Sequence, residues 1–176
     1  MKFMDYREHL RQPLSKRFVD ILAVEIFANP TDFDVVYQLI FDENEKVAWR
    51  AAWACQKISE KYPEWFSDLH FEELSALAIS TSHGGLLRGC LSVINNIALP
   101  QCLSVEFINA CFDWMISAKS PIAVQALSMK ILLRICHKEP EFKQELSVVL
   151  ENIDFENYSA GFKSVRKNIL NALKGK

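Results

Sequence analysis

The feature that most limits the fold of this chain is a regular spacing of helix-breaking residues. Prolines recur at intervals of 33, 37 and 40 residues, at Pro30, Pro63, Pro100 and Pro140. Proline fits the first turn of a helix but breaks a helix interior, so each one is expected where one helix ends and the next begins. A period of this length is typical of arrays of helix pairs, which bury their apolar faces only by stacking on neighbouring pairs.

Four segments of the sequence superpose at steps of 39, 38 and 38 residues, with apolar residues at matching positions. Each segment shows the i, i+7, i+8, i+11 spacing of a helix that turns one face toward a core. The matching positions hold Val47, Leu86, Val124 and Phe162; Ala54, Val93, Ile131 and Ile169; Cys55, Ile94, Leu132 and Leu170; and Ile58, Ile97, Ile135 and Leu173. A further position holds a small residue three times and then Arg166, which indicates that the last pair is a cap.

The first of these segments resembles the inner helix of a HEAT repeat. Residues 47–55, Val-Ala-Trp-Arg-Ala-Ala-Trp-Ala-Cys, followed by Ile58, are similar to the family pattern of valine, arginine, two spacers, paired alanines, a spacer, alanine and leucine. Ala48 stands where the family usually has arginine, and Cys55 where it has leucine. The likeness extends from Pro30 to Leu173. It implies an armadillo-type α-α superhelix of about four stacked antiparallel helix pairs plus an N-terminal helix, and we expect a single domain over residues 1–176.

The residue pattern independently predicts an all-α protein. The chain has only 5 glycines and 6 prolines, and no stretch alternates apolar and polar residues long enough to indicate a strand. We expect an opening helix within residues 14–28. The expected pairs are 31–41 and 44–61, 64–80 and 84–98, 104–117 and 120–138, and 140–151 and 158–174.

Composition and motifs argue against several classes of site. The 5 cysteines include no pair at the two-residue gap of a zinc site, so we expect reduced core cysteines, no metal and no cofactor. No motif with a catalytic mechanism occurs, so no catalytic residue is proposed and an enzyme is the minority interpretation. The start does not read as a signal peptide, and no apolar run approaches the ~20 residues of a membrane span, so we expect a cytoplasmic protein with no membrane partner.

Charged residues are sorted along the chain, although the net charge is only −2. The second helices of the last three predicted pairs contain nine lysines or arginines and no aspartate or glutamate, whereas the segments between them are mostly acidic. The resemblance implies that second helices line a concave face, so it predicts a basic groove. The alternative is that cations gather near helix C-termini to suit the helix dipole, which covers Lys138, Lys174 and Lys176 but not Arg88 or Lys163.

Two tryptophans mark the polar face of the first inner helix. At about 100° per residue, Trp49 and Trp53 point away from the apolar stripe, and an exposed aromatic pair is typical of a contact site. The alternative is that the N-terminal segment, with Phe3, Tyr6 and Phe18, folds over both indoles. The candidate binding residues are Trp49, Trp53, Gln56, Arg88, Asn95, Lys130, Arg134 and Lys163.

Three functions from different classes remain open. The first is a non-catalytic interaction module that binds an acidic peptide or protein segment on a basic concave face. The second is nucleic-acid binding, in a chain similar to the HEAT-like alkylpurine DNA glycosylases, which use aromatic and acidic residues in a basic groove. Trp49, Trp53, Trp114 and Asp113 supply those residue types, although Asp113 and Trp114 fall on a predicted outer helix and no catalytic motif of that family is matched. The third is a structural subunit that stacks on another solenoid.

Overall fold

The structure is a computed structural model that describes residues 5–12, 15–154, 156 and 158–175, with the side chain of Lys16 excepted. Helices joined by turns and short loops make up these residues, which confirms the all-α fold class. The α-helices of the described residues are α1 (Tyr6–Arg11), α2 (Lys16–Ala28), α3 (Phe33–Gln38), α4 (Glu45–Lys61), α5 (Asp68–Ser80), α6 (Gly84–Asn96), α7 (Val105–Ile116), α8 (Ile122–Lys138), α9 (Phe142–Asn152) and α10 (Ala160–Leu173).

The predicted helices are present, with ends that shift by up to four residues. The prediction of 64–80 is too long, because Pro63–Trp65 forms a separate 3-10 turn and α5 begins only at Asp68. The prediction of 31–41 likewise tightens at both ends into 3-10 turns that flank α3. Helix α1 was not predicted. It begins after Asp5, whose carboxylate accepts the backbone N–H of Glu8 at 3.0 Å.

The chain divides into two compact units, Met1–Ala98 (unit 1) and Leu99–Lys176 (unit 2). Within unit 1, α4 packs against α6, α2, α1 and α3, and α5 packs against α6. Within unit 2, α8 packs against α7, α9 and α10. In each unit the second helices of two successive pairs therefore lie side by side, as stacked repeats require. The single domain expected over residues 1–176 stays a prediction.

The apolar positions that repeat along the sequence form the core of each unit. The residues at the Val47 and Ala54 positions of all four segments are buried. The Cys55 and Ile58 positions are buried in the first three segments, whereas Leu170 and Leu173 of the last pair are only half-buried. In unit 2, α10 packs against α8 and α9, and these contacts leave the two leucines partly exposed.

The cysteines divide into two groups. Cys55, Cys90, Cys111 and Cys136 are buried, as expected for core residues, and burial raises the pKa of the Cys90 thiol to about 12. Cys102 is exposed, so the prediction of a core position is wrong for this residue. It lies in the loop between α6 and α7, where no apolar helix face is available to cover it.

Neither a metal-binding cluster nor a membrane-spanning helix is found among the described residues. No three His, Cys, Asp or Glu side chains of those residues are grouped so that they could hold a metal ion. No helix in that part of the chain is long and apolar enough to cross a membrane.

Candidate functional site

The two tryptophans of α4 are stacked on each other. Trp49 and Trp53 are one helical turn apart, their ring centroids are separated by 6.1 Å, and their planes differ by 14°. Residues four apart in a helix are offset by about 6 Å along its axis, so the backbone brings the two side chains to about this spacing, while their side-chain torsion angles set the angle between the rings. Both side chains are half-buried, whereas the residues on the opposite side of α4 are buried in the core. The predicted orientation away from the apolar stripe is therefore present.

A third ring, from His83, extends this stack. The imidazole lies 6.4 Å from the Trp49 ring, with an angle of 18° between the planes. As the N-cap of α6, His83 accepts the backbone N–H of Leu86 on Nδ1 at 3.0 Å, so its proton is placed on Nε2. A β-carbon at Gly85 would lie 2.9 Å from Cε1 of His83, so this stack requires glycine there. We refer to His83, Trp49 and Trp53 as the ring ladder.

Arg50 supports the ring ladder from the α1 side. Its guanidinium carbon lies 5.5 Å from the centroid of the Trp49 ring, within the range of a cation–π contact. Nη1 of the same side chain donates to three backbone carbonyl oxygens at the end of α1. These are the oxygens of Leu10 at 2.8 Å, Arg11 at 3.1 Å and Gln12 at 2.7 Å.

The alternative cover for both indoles is an N-terminal segment with Phe3, Tyr6 and Phe18. Phe3 lies outside the described residues. Tyr6 is buried and donates its hydroxyl to Asp32 at 2.6 Å, and Phe18 stacks on His9 at 6.2 Å. The two tryptophans keep part of their surface open to solvent.

The neighbouring helix α6 carries two of the predicted binding residues of unit 1. Arg88 is exposed and Asn95 is half-buried. The two helices approach closely at Gly89, where a β-carbon would lie 2.7 Å from Cβ of Ala52. Asn96 also donates to the hydroxyl of Ser59 across the same interface, at 3.0 Å. Arg88 therefore projects from a helix that is fixed tightly against the one that carries the tryptophans.

Gln56 lies on α4, one turn beyond Trp53. Its amide donates to Glu60 at 3.1 Å, and the other oxygen of Glu60 pairs with Lys57 at 2.8 Å. The carboxylate on this side of α4 is thus already paired within the helix. The negative charge of Glu60 is therefore largely offset by the positive charge of Lys57.

Unit 2 carries the remaining predicted binding residues. Lys130 is exposed on α8, and Arg134, one turn later, is half-buried, where burial lowers the pKa of its guanidinium. Lys163 on α10 is exposed and donates to the carbonyl oxygen of Glu156 at 3.1 Å. Lys130 and Arg134 share one face of α8 because they are four residues apart. The role of these three residues in binding stays a prediction.

Several of the cations on second helices bind backbone carbonyls, a role that the sequence did not predict. Lys138 donates to Pro100 and Gln101, the latter at 2.9 Å, and Nε of Arg166 donates to Leu150 at 2.5 Å. Leu150 lies near the end of α9, where carbonyls lack intrahelical donors and carry the negative end of the dipole, whereas Pro100 and Gln101 lie in the loop between α6 and α7. Part of the one-sided charge distribution therefore serves the fold. Arg88 and Lys130 are exposed cations outside this group.

Sequence analysis missed two members of the site in unit 1, His83 and Arg50. The His83-Gly84-Gly85 sequence at the start of α6 could have indicated His83, because the glycines give a neighbouring ring room to pack. No local signal identifies the second, since its carbonyl partners lie 38 to 40 residues away along the chain.

Comparison with known proteins gives the family. No curated protein and no solved structure matches the chain. The HEAT repeat domain matches residues 6–173, a range that spans every helix from α1 to α10. HEAT repeats generally mediate protein–protein interaction. Together with the stacked helix pairs of each unit, this match shows that the chain belongs to the HEAT repeat family.

Proposed function

We propose that this protein is a non-catalytic interaction module and that unit 1 binds an acidic segment of a partner protein. The segment lies across α4 and α6, where the ring ladder and Arg88 are found. The observation that carries the proposal is the pair of stacked, half-exposed indoles on the otherwise polar side of α4. Partly exposed tryptophans on a fixed scaffold are typical of the residues that contribute most to protein interfaces.

The stacking also favours binding because it orders the two side chains in advance. The ring of Trp49 contacts the rings of Trp53 and His83, and the Arg50 guanidinium lies 5.5 Å from its centroid. A side chain that is fixed before the partner arrives loses less conformational entropy on binding. The part of the indole pair that stays exposed is therefore presented to a partner at a low entropic cost.

Charge and hydrogen-bond donors favour an acidic partner. Arg88 is exposed on α6, three residues after Gly85, whose added β-carbon would lie 3.8 Å from the Trp49 ring. Because Glu60 is paired with Lys57, Arg88 contributes an unneutralised positive charge to the proposed surface. Among the described residues, neither indole N–H of Trp49 or Trp53 meets an acceptor, and neither is buried without a partner. Indole and guanidinium groups are donors only, so they select a ligand rich in acceptors, such as carboxylates.

The proposal includes a second and weaker contact on unit 2. It consists of the basic side chains Lys130, Arg134 and Lys163, of which Lys130 and Lys163 are exposed. Exposed charges act mainly through attraction that salt screens. We therefore expect this patch to raise the association rate more than the affinity.

The test is fluorescence anisotropy with a short labelled peptide of alternating glutamate and leucine residues. Trp53→Ala and Arg88→Glu should each raise the Kd about tenfold, as loss of a central interface residue does. Trp114→Ala removes a half-buried tryptophan of α7 and Lys167→Glu reverses an exposed charge of α10, so they serve as matched controls. Equal affinity for all four variants and the unaltered protein would remove the ladder from the binding site.

A single-stranded oligonucleotide in the same assay separates the nucleic-acid alternative. Phosphate contacts give a steep linear fall of log affinity with log salt. Tight oligonucleotide binding with that slope, and no binding of the acidic peptide, would overturn the proposal in favour of nucleic acid.

A further inference from the structure

We propose that Arg50 is the positioning residue of the ring ladder and that the docking of α1 sets the geometry of the ladder through it. If unit 1 binds an acidic partner as proposed above, α1 controls its affinity for that partner, and this consequence rests on the proposed function. The coupling itself can be measured without any partner.

Arg50 joins two parts of unit 1 through one guanidinium group. Its Nη1 reaches the carbonyl oxygens of Leu10, Arg11 and Gln12, all within 3.1 Å. Its central carbon lies 5.5 Å from the centroid of the Trp49 ring. The planar group can serve both contacts at once because its edge donates while its delocalised charge attracts the ring face.

The carbonyls at the end of α1 are strong partners for this group. The last carbonyls of a helix have no donors within it and carry the negative end of the helix dipole. The two N–H groups of Nη1 are shared among two of them, those of Leu10 and Arg11, and the carbonyl of the C-cap residue Gln12. Helix α1 has only six residues and is too short to be stable by itself. The guanidinium and α1 therefore hold each other in place.

One atom of the Arg50 side chain favours release of the guanidinium once α1 opens. Nε of Arg50 is buried and has no acceptor among the described residues. A buried donor without a partner has a free-energy cost that water would remove if the site opened. When α1 leaves, the three carbonyl contacts are lost together and the guanidinium becomes hydrated, so only the weaker cation–π attraction is left to hold it over Trp49.

Two contacts hold α1 at sites away from the ladder. Arg7 pairs with Asp42, with Nε to Oδ2 at 2.5 Å and Nη2 to Oδ1 at 3.0 Å. The hydroxyl of Tyr6 donates to Asp32 at 2.6 Å. Substitutions of Tyr6 and Asp42 loosen α1 without altering Arg50 or the tryptophans. They therefore show whether the docking of α1 affects the ring ladder when the ladder residues themselves are unchanged.

The experiment measures the far-ultraviolet exciton couplet of the Trp49–Trp53 pair by circular dichroism in the free protein. The couplet is assigned as the difference between the unaltered protein and Trp53→Phe. The double variant Tyr6→Phe and Asp42→Asn should reduce it and speed hydrogen exchange of the α1 amides. Arg50→Met should also reduce it, and Arg50→Lys should restore part of it, because lysine keeps the charge but not the planar fork.

Tyr37→Phe is the control, because it removes a hydrogen bond between α3 and α5, from the Tyr37 hydroxyl to Glu73 at 2.8 Å, and leaves the α1 contacts intact. It should not change the couplet. An unchanged couplet in Arg50→Met, or in the double variant once exchange shows that α1 has opened, would overturn the inference.

Binding of the glutamate–leucine peptide then separates the two proposals. The double variant should bind it about fivefold or more weakly, the usual lower range of coupling between sites. A reduced couplet with unchanged affinity would support Arg50 as the positioning residue and would overturn the ladder as the peptide site.

Discussion

A β-carbon at Gly89 would lie 2.7 Å from Cβ of Ala52, so α4 and α6 pack at a distance that only glycine allows. This contact places the second helices of two successive pairs side by side. It also fixes Arg88, the residue before Gly89, next to the helix that carries Trp49 and Trp53. The proposed binding surface therefore depends on a residue that contributes no side chain to it.

Gly89→Ala should destabilise unit 1 by about 1–3 kcal/mol, because the added methyl meets the methyl of Ala52, which cannot rotate away. Chemical denaturation followed by circular dichroism measures the change. Gly161→Ala is the matched control on α10, where a β-carbon would lie 3.4 Å from Ile122, an ordinary contact. That change should be neutral or stabilise by up to about 1 kcal/mol. Equal effects of the two substitutions would contradict the tight crossing of α4 and α6.

Gly85→Ala tests the third ring of the ladder. The new β-carbon would lie 2.9 Å from Cε1 of His83 and should push the imidazole away from Trp49 and from the N–H of Leu86. We expect a lower melting temperature than that of the unaltered protein. In a His83→Asn background, asparagine keeps an N-cap but has no ring at that position, so Gly85→Ala should cost little. A penalty of the same size in both backgrounds would show that His83 is not the group displaced.

The pH dependence of stability should contain a contribution from His70. Its Nδ1 accepts the backbone N–H of Ser67 at 2.9 Å, and partial burial lowers the pKa of the ring in the folded protein. The unfolded chain therefore binds this proton more readily than the folded one. The free energy of unfolding should be highest above the unfolded pKa of about 6.5 and should fall as the pH is lowered toward 5.

His70→Gln should flatten this dependence between pH 7 and pH 5. His137→Gln, which alters an exposed histidine of α8, provides the control and should leave the slope as it is. The measurement is a set of urea denaturation curves across that range. A slope that is the same in His70→Gln and in the unaltered protein would contradict this assignment.

Thiol reactivity should separate Cys102 from the other four cysteines. Cys102 is exposed, whereas Cys55, Cys90, Cys111 and Cys136 are buried, and burial raises the pKa of each of these four thiols. A thiol-specific chromophoric reagent should therefore titrate one group rapidly in the native protein. All 5 should react in denaturant. Rapid native reaction of Cys102→Ser would show that a core thiol is accessible.

The helices and the core were predictable because their signals repeat. Val47, Leu86, Val124 and Phe162 occupy the same place in four segments, and a face that recurs at helical spacing has to be buried. The orientation of Trp49 and Trp53 followed from the same geometry. Leu170 and Leu173, which follow Arg166 on α10, are half-buried, and the cap expected there stays a prediction.

What the sequence could not show are contacts that depend on rotamers and on distant backbone. The stacking of His83 on Trp49 needs both ring orientations, which spacing alone does not give. The carbonyl contacts of Arg50 and Lys138 join residues separated by 37 to 40 positions, so no local pattern indicates them. For this reason the sequence pattern predicted one binding surface from the cations of the second helices, although several of these cations stabilise helix ends and loops.

The indole N–H resonances of the 4 tryptophans provide the most direct test that the ladder is the peptide site. In a 15N-labelled sample, titration with the glutamate–leucine peptide should shift the signals of Trp49 and Trp53, because carboxylates of the peptide replace water as the acceptors of their indole N–H groups. The signals of Trp65 and Trp114 should stay in place. Saturable binding that shifts Trp65 or Trp114 and leaves the ladder signals unmoved would contradict the account.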